Sequence, residues 1–308
     1  MALRYMRIFR YLDEVARVGS VRQAAERLHV TPSAVLRRIQ DVEQDLGVPV
    51  FERTVTGVQL TAAGEILIRW IRVQNAELRR VYSQIEELSG LRRGEVRIAC
   101  SQAVAHNFLP EEIAAFRAQH PLVSFQVKVT DHDSALQLLT RYETDLVLIF
   151  NPPPVAELQP VMSIGQRLVA IMAAGHELTG KPRLRLRDCL QFPVALPDGN
   201  FGGRQLINEA LATSSNRLNL VLEANSFEML GAFVALCDAI TFQIEIGARH
   251  WQNDPRLAVR PLEDTSTGHA PLVLGQLKGR SLPLAAAKFS VQLARRLDQV
   301  RTLPTAEP

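Results

Sequence analysis

The sequence predicts an α/β protein: an N-terminal all-α winged helix-turn-helix with a long helix behind it, then a two-lobed α/β region. Three observations predict it. Two short capped helical stretches lie within the first fifty residues. The run from Ala62 to Ser89 carries apolar residues at coiled-coil spacing and no proline. Beyond Gly94, short apolar strands alternate with helices. A length of 308 residues suits two or three domains, and 47% apolar residues gives each a core.

Phe9, Leu12, Val15 and Ala16 mark one face of a first helix, stopped at Gly19, where a missing Cβ suits a left-handed end. Ser20 with Gln23 three places on forms a capping box that opens a second helix, whose Ala24, Ala25 and Leu28 allow close packing. Thr31 caps a third helix and Pro32 fills its first position, which needs no N–H. Val35, Ile39, Val42 and Leu46 then point to the core, leaving Ser33, Leu36, Arg37 and Gln40 on other faces until Gly47 ends the helix.

Such a helix pair places its second helix in a major groove about 12 Å wide. The amino end of the third helix suits phosphate, and Arg37 and Arg38 lie one turn in, within reach of bases or backbone. Val50–Arg53 and Val58–Thr61 read as two strands around Thr56-Gly57, a wing whose Arg53 reaches a neighbouring phosphate or minor groove. The candidate DNA contacts are therefore Ser20, Thr31, Pro32, Ser33, Leu36, Arg37, Arg38 and Arg53.

Charge agrees. Residues 1–94 hold 15 Arg, no Lys and 11 acidic residues, a net +4, whereas the rest of the chain is near neutral. The excess sits where a polyanion would bind, although an Arg-rich helix surface is also an ordinary solvated face.

Leu67, Ile71, Leu78, Val81, Ile85 and Leu88 recur at steps of four and three, with Gln74 as a polar layer, and predict a dimer-forming seam; packing against the chain's own domain gives the same stripe. Gly90, Arg92, Arg93 and Gly94 read as a hinge.

Further on, strands are expected at 96–99, 125–130 and 146–150, with helices at 108–119 and 134–141. After Pro152-Pro153-Pro154 come strands at 168–173, 192–196, 220–223 and 240–242 with helices at 203–212 and 228–237. A strand at 272–276 and a helix at 284–297 close back on the first lobe. This alternation implies parallel sheets with helices on both faces. The expected boundaries are 1–61 for the DNA-binding domain, 62–94 for the linker helix and hinge, 95–166 with 268–303 for lobe I, and 167–267 for lobe II.

Ligands in such folds sit at the carboxyl ends of strands. That rule selects Cys100, Ser101 and Gln102, then Asp131 and His132, then Asn151; in the other lobe it selects Asn200, Phe201 and Gly202, then Phe227, with Gln243 at a further strand. Ser101 is either an effector contact or a helix cap, Gly202-Gly203 either an anion cradle or a tight turn, and His132 either a pH-sensitive contact or a surface histidine.

The runs Val15-Ala16-Arg17-Val18-Gly19-Ser20, Ala24-Ala25-Glu26-Arg27-Leu28, Val30-Thr31-Pro32-Ser33-Ala34-Val35, Leu46-Gly47, Val50-Phe51-Glu52-Arg53 and Leu60-Thr61-Ala62-Ala63-Gly64 resemble, in order and spacing over about sixty residues, the DNA-binding domain of LysR-type transcriptional regulators. The resemblance implies that the long helix is the dimer helix and that two dimers pair as a tetramer. It also implies a two-lobed effector domain, similar to periplasmic solute-binding proteins, in which a small molecule, expected to be an organic anion, shifts the DNA interaction. Ser101 matches the family's effector-contacting hydroxyl. Several residues depart from the pattern: Leu36-Arg37 stands where Ser-Arg is common, His132 where Ser or Thr is usual, Cys237-Asp238-Ala239 in place of Gly-x-Gly, and Ile244 where Pro is frequent. No base preference or ligand is carried over from relatives.

The expected partners are double-stranded DNA, a small-molecule effector and further copies of the chain. No cofactor is expected. Seven scattered histidines with no H-x-x-x-H pair give no expectation of a metal, and the sequence lacks the nucleophile and phosphate-loop motifs of common enzymes. The longest apolar stretch, Met229–Cys237, is too short to cross a bilayer, and the N-terminus lacks a signal-peptide core, so a cytoplasmic protein is expected. A redox regulator using Cys100 with Cys189 or Cys237, and a solute-binding protein, are the competing readings; the second leaves the helix-turn-helix unexplained.

Overall fold

A computed structural model describes residues 2–55, 57–88, 93–199, 202–212, 218–263 and 269–302. The chain divides into two compact units, Met1–Tyr82 and Ser83–Pro308.

In the first unit, α1 (Ala2–Val18), α2 (Val21–Leu28) and α3 (Pro32–Leu46) pack around Leu12, Val15, Ala24, Ala25, Val35 and Ile39, all buried. Their ends follow local chemistry. Ser20 and Thr31 are extended, and their hydroxyls accept from the N–H groups of Gln23 and Ala34; His29 and Gly47 close α2 and α3 in left-handed conformation. Leu46, expected in the core, is 48% exposed, at the end of α3 where residues 44–49 are all exposed.

Strands β1 (Phe51–Thr54) and β2 (Gly57–Leu60) form an antiparallel wing, pairing Phe51 with Leu60 and Thr54 with Gly57. The turn residue Thr56 lies outside the described residues. The helix α4 (Ala62–Leu88) starts at Thr61, whose hydroxyl accepts from the Gly64 N–H and donates to the Pro49 carbonyl. Gly64 is required there, since a Cβ would stand 2.0 Å from the Val50 carbonyl oxygen.

The second unit holds a five-stranded sheet ordered β4-β3-β5-β12-β6, built from β3 (Gly94–Cys100), β4 (Val123–Val129), β5 (Leu146–Phe150), β6 (Leu158–Gln166) and β12 (Ala270–Leu277). The sheet is mixed rather than all-parallel: β3, β4 and β5 run parallel, and β12 inserts antiparallel between β5 and β6. Side chains alternate along β3 and β5. Ile98, Cys100, Leu146 and Leu148 enter one core, while Ala99, Val147 and Ile149 enter the other. On the first face lie α6 (Phe108–Gln119) and α12 (Leu284–Thr302), with the short α5 (Gln102–Ala105) following β3. On the second lies α7 (His132–Thr140).

The chain crosses at Arg167 into a second set of strands. Here β7 (Leu168–Ala173) is flanked antiparallel by β10 (Thr241–Ile244) and β11 (Leu257–Pro261), while β8 (Val194–Pro197) and β9 (Leu220–Ala224) run parallel. A bridge between Val194 and Ile240 joins the two. The helices α8 (Leu186–Cys189), α9 (Gly202–Ala212), α10 (Phe227–Val234) and α11 (Glu245–Ala248) complete this lobe. The expected hinge residues Gly90 and Arg92 lie outside the described residues, and Gly94 already begins β3. Among the described residues no helix is long and apolar enough to cross a membrane.

Candidate functional site

In the first unit, Thr31, Pro32, Ser33, Arg37 and Gln40 are exposed along the amino-terminal face of α3, with Leu36 and Arg38 half-buried. Arg38 is tied to Asp41 at 2.8 Å, whereas Arg37 and the exposed Arg53 of β1 have no ion-pair partner among the described residues. Other arginines are engaged: Arg17 and Arg27 with Glu14, Arg22 with Glu26, and Arg72 with Asp13. Thr31 shares a 3.1 Å hydroxyl contact with Ser33, and half-buried Ser20 caps α2.

Two anchors that the motif reading missed fix the wing. Glu43 of α3 accepts from the Val50 and Phe51 N–H groups at 2.8 and 3.1 Å, and Gly19 accepts from Val58 at 2.8 Å. Glu43 has the sequence signature of an ordinary surface glutamate, so only its fold neighbours identify it.

The expected dimer seam divides. Ile71 is fully buried in the core of the first unit, so it serves the domain itself, which corrects its assignment to dimerisation; Leu67 is half-buried against the same core. Leu78 is half-buried, while Val81 and Ile85 are exposed together with Ile66, Trp70 and Tyr82; the Leu88 side chain lies outside the described residues.

In the second unit, the Ser101 hydroxyl accepts from the Phe150 N–H at 3.0 Å and makes no cap bond to α5. Gln102 spans the lobes: its Nε2 donates to the Asn225 carbonyl at 3.0 Å and its Oε1 accepts from the Phe227 N–H at 2.8 Å. Asn107 donates to the Ile246 carbonyl, and Gln166 accepts from the Ile246 N–H at 2.9 Å, adding two more ties around α11. A cavity of about 320 Å³ beside the Gln102 clamp is lined by Gln102, Val129, Phe227, Gln243 and Gly247 together with His106, Glu228 and His250.

Other expected contacts take different places. Cys100 is fully buried in the core, and burial pushes its thiol up to about 12, which corrects its assignment as an effector contact and leaves it a poor thiolate. Asp131 caps α7 by accepting from Ser134 at 2.8 Å. Burial works to raise its carboxyl, but hydrogen bonds from Ser134 and Thr130 outweigh that and hold it below the usual carboxylate range.

His132 is buried, not solvated, and its Nδ1 has no hydrogen-bond partner among the described residues. Asn151 takes a left-handed conformation, φ +49°, and Gly202 comes so close that a Cβ there would stand 2.8 Å from the Phe150 carbonyl oxygen. Gln243 is buried, with its Oε1 on the Ile244 N–H. Asn200 and Phe201 lie outside the described residues.

Comparisons with known proteins agree with this architecture. Residues 6–65 match the model of the bacterial regulatory helix-turn-helix protein, lysR family, and residues 89–298 match the LysR substrate binding domain. The RuBisCO operon transcriptional regulator of Allochromatium vinosum is 31% identical over 205 residues, 67% of each chain. A probable nitrogen assimilation transcriptional activator of Synechococcus elongatus is 26% identical over 291 residues, 91% of each. Among solved structures, a full-length cysteine-to-aspartate variant of OxyR from Pseudomonas aeruginosa has a TM-score of 0.69 at 19% identity, covering 98% of both chains. Full-length CbnR in complex with its target DNA has a TM-score of 0.62 at 21% identity, covering 94% of this chain and 99% of that one. The two structures share the fold. With both domains matched in order, and a relative above 30% identity, the chain belongs to the LysR-type transcriptional regulators.

Proposed function

We propose that this regulator reads duplex DNA with the exposed amino-terminal face of α3, Arg37 foremost, and grips the flanking backbone with Arg53 on the wing. The reading domain is 1–61, the linker helix and hinge 62–94, and the effector lobes 95–166 with 268–303 and 167–267. Dimers form through the exposed apolar residues of α4 around Val81 and Ile85, and pair as tetramers. A two-fold dimer presents two reader helices about one helical turn of DNA apart, or a multiple of it, matching a partly palindromic site.

The effector is a small organic anion held in the cavity beside Gln102. One observation carries this reading: a single side-chain amide, Gln102, closes the two lobes on each other at the cavity wall through backbone groups that a ligand can also engage. The adjacent Ser101 supports it, since accepting from Phe150 leaves its O–H proton available to an anion. A binding contact of this kind regulates without chemistry on the ligand. Ligand energy shifts the operator complex only through differential affinity for the two lobe arrangements.

The test is a thermal-shift screen of small carboxylates, amino acids and aromatics, followed by footprinting with any stabiliser. A stabiliser that alters the footprint of the intact chain, and loses that effect in Ser101→Ala while DNA binding persists, is the expected result. Loss of DNA binding by Ser101→Ala would make the residue structural, and an unchanged footprint with every stabiliser would end the effector reading.

A further inference from the structure

Three side chains distant in sequence converge at the mouth of the same cavity. His106 follows α5 in the first lobe, Glu228 stands in the first turn of α10, and His250 lies in the 3-10 turn Arg249–Asn253 of the second lobe. Their ligand atoms all lie within 4.8 Å of one another. His106 Nδ1 is 3.2 Å and His250 Nε2 is 3.3 Å from Glu228 Oε1. A tetrahedral ion with bonds of about 2.0–2.2 Å separates its donor atoms by roughly 3.4 Å, so two of the three edges already have that length.

The hydrogen-bond geometry orients the donors toward one point. His250 Nδ1 is 3.0 Å from the Gly247 carbonyl, which only accepts, so Nδ1 carries a proton and Nε2 is the ring atom turned to Glu228. That Nε2 is shut off from solvent, receives no hydrogen bond among the described residues, and faces the Glu228 carboxylate, itself only an acceptor. A second imidazole, His106, stacks at 4.1 Å between ring centroids.

We propose that His106, Glu228 and His250 bind one divalent transition-metal ion of the zinc class, with a remaining coordination position open to the cavity lined by Gln102, Phe227 and Gln243. Two imidazoles and one carboxylate select zinc, cobalt, nickel or copper over magnesium and calcium, which prefer oxygen-only shells. The ion ties the two lobes through His106 on one side and Glu228 and His250 on the other, a link additional to the Gln102 clamp. The donor geometry stands whether or not an organic effector occupies the cavity, so the inference does not rest on the proposed ligand.

The experiment titrates the chelator-treated full chain with ZnCl₂ by calorimetry, and with CoCl₂ by visible absorption, while operator binding by the metal-free chain is measured on the same preparation. We expect one ion per chain, ligand-field bands without thiolate charge transfer, and at least a tenfold loss of affinity in His250→Ala and in Glu228→Gln. Glu228 is exposed and Gln keeps its shape, so that variant folds even where His250→Ala does not, as circular dichroism verifies. Affinity weaker than about 0.1 mM, unchanged affinity in Glu228→Gln, or a thiolate band would each overturn the proposal. Operator binding that persists in those cases leaves the DNA-reading assignment standing.

Discussion

Gly57 rests directly on the carbonyl of Gly19: a Cβ at position 57 would stand 2.4 Å from that oxygen. The wing is thereby seated on the turn that opens the helix-turn-helix. Gly57→Ala introduces this clash at φ +142°, a backbone region closed to L side chains, and is expected to lower stability by about 1–3 kcal/mol. Chemical denaturation measures the loss, and anisotropy with labelled DNA follows the displaced wing; a variant equal to the parent in both would refute the seating.

Arg37 and Arg38 are neighbours with different duties. Arg37→Ala is expected to weaken specific DNA binding by about 1–3 kcal/mol, and Arg38→Ala by less, because Arg38 already neutralises Asp41. Titrations at several salt concentrations separate base reading from phosphate contact. Equal effects of the two substitutions would count against the assigned face.

On α4, Ile71→Ala is expected to cost about 2–5 kcal/mol of stability by opening a cavity in the domain core. Ile85→Asp, at an exposed site, is expected to leave the midpoint of unfolding near the parent value and to shift sedimentation toward smaller species. The reverse pattern would move the dimer contact to the front of the helix.

Asp145 is buried between Arg97 at 2.8 Å and Arg280 at 2.6 Å. Burial alone would raise its carboxyl, but the two guanidinium groups hold it below the usual carboxylate range. A depressed folded value means stability that is full above the unfolded value near 3.9 and is lost as pH falls through the folded one. Asp145→Asn leaves two buried cations uncompensated and is expected to destabilise by about 3–5 kcal/mol at neutral pH, with the difference from the parent shrinking in acid. A constant difference across an acid titration would contradict the assignment.

Cys100 and Cys189 are buried and Cys237 is half-buried. Native protein treated with iodoacetamide at pH 8 is therefore expected to label at Cys237 first and at Cys100 only on unfolding, as its raised thiol demands. Rapid labelling of native Cys100 would revive a redox reading.

Caps and helix ends were legible in the sequence because they are local: Ser20, Thr31-Pro32 and Gly47 carry their own chemistry, and α6 and β5 occupy the expected spans. Two strands were not. Edge strand β6 contains Pro160 and Gly165 and faces solvent for much of its length, and edge strand β11 ends in Arg260-Pro261, so neither shows an apolar run. The stripe on α4 has the same spacing whether it meets a partner or its own domain, and so periodicity could not place Ile71. Ser101 and Gln102 followed from the rule about strand ends, but that Gln102 holds the Asn225 carbonyl, and that His106 meets Glu228 and His250, depends on chain segments more than a hundred residues apart.

The insertion of β12 between β5 and β6 sets an order of assembly. The chain must extend about 120 residues beyond Phe150 before β12 exists, several seconds or more at about 5–20 residues per second on the ribosome. Throughout that interval the fully apolar β5 presents an unpaired edge, the kind of surface that recruits strands from other nascent chains. A message truncated before codon 270 should therefore yield an aggregating product, whatever the state of its finished amino-terminal domain.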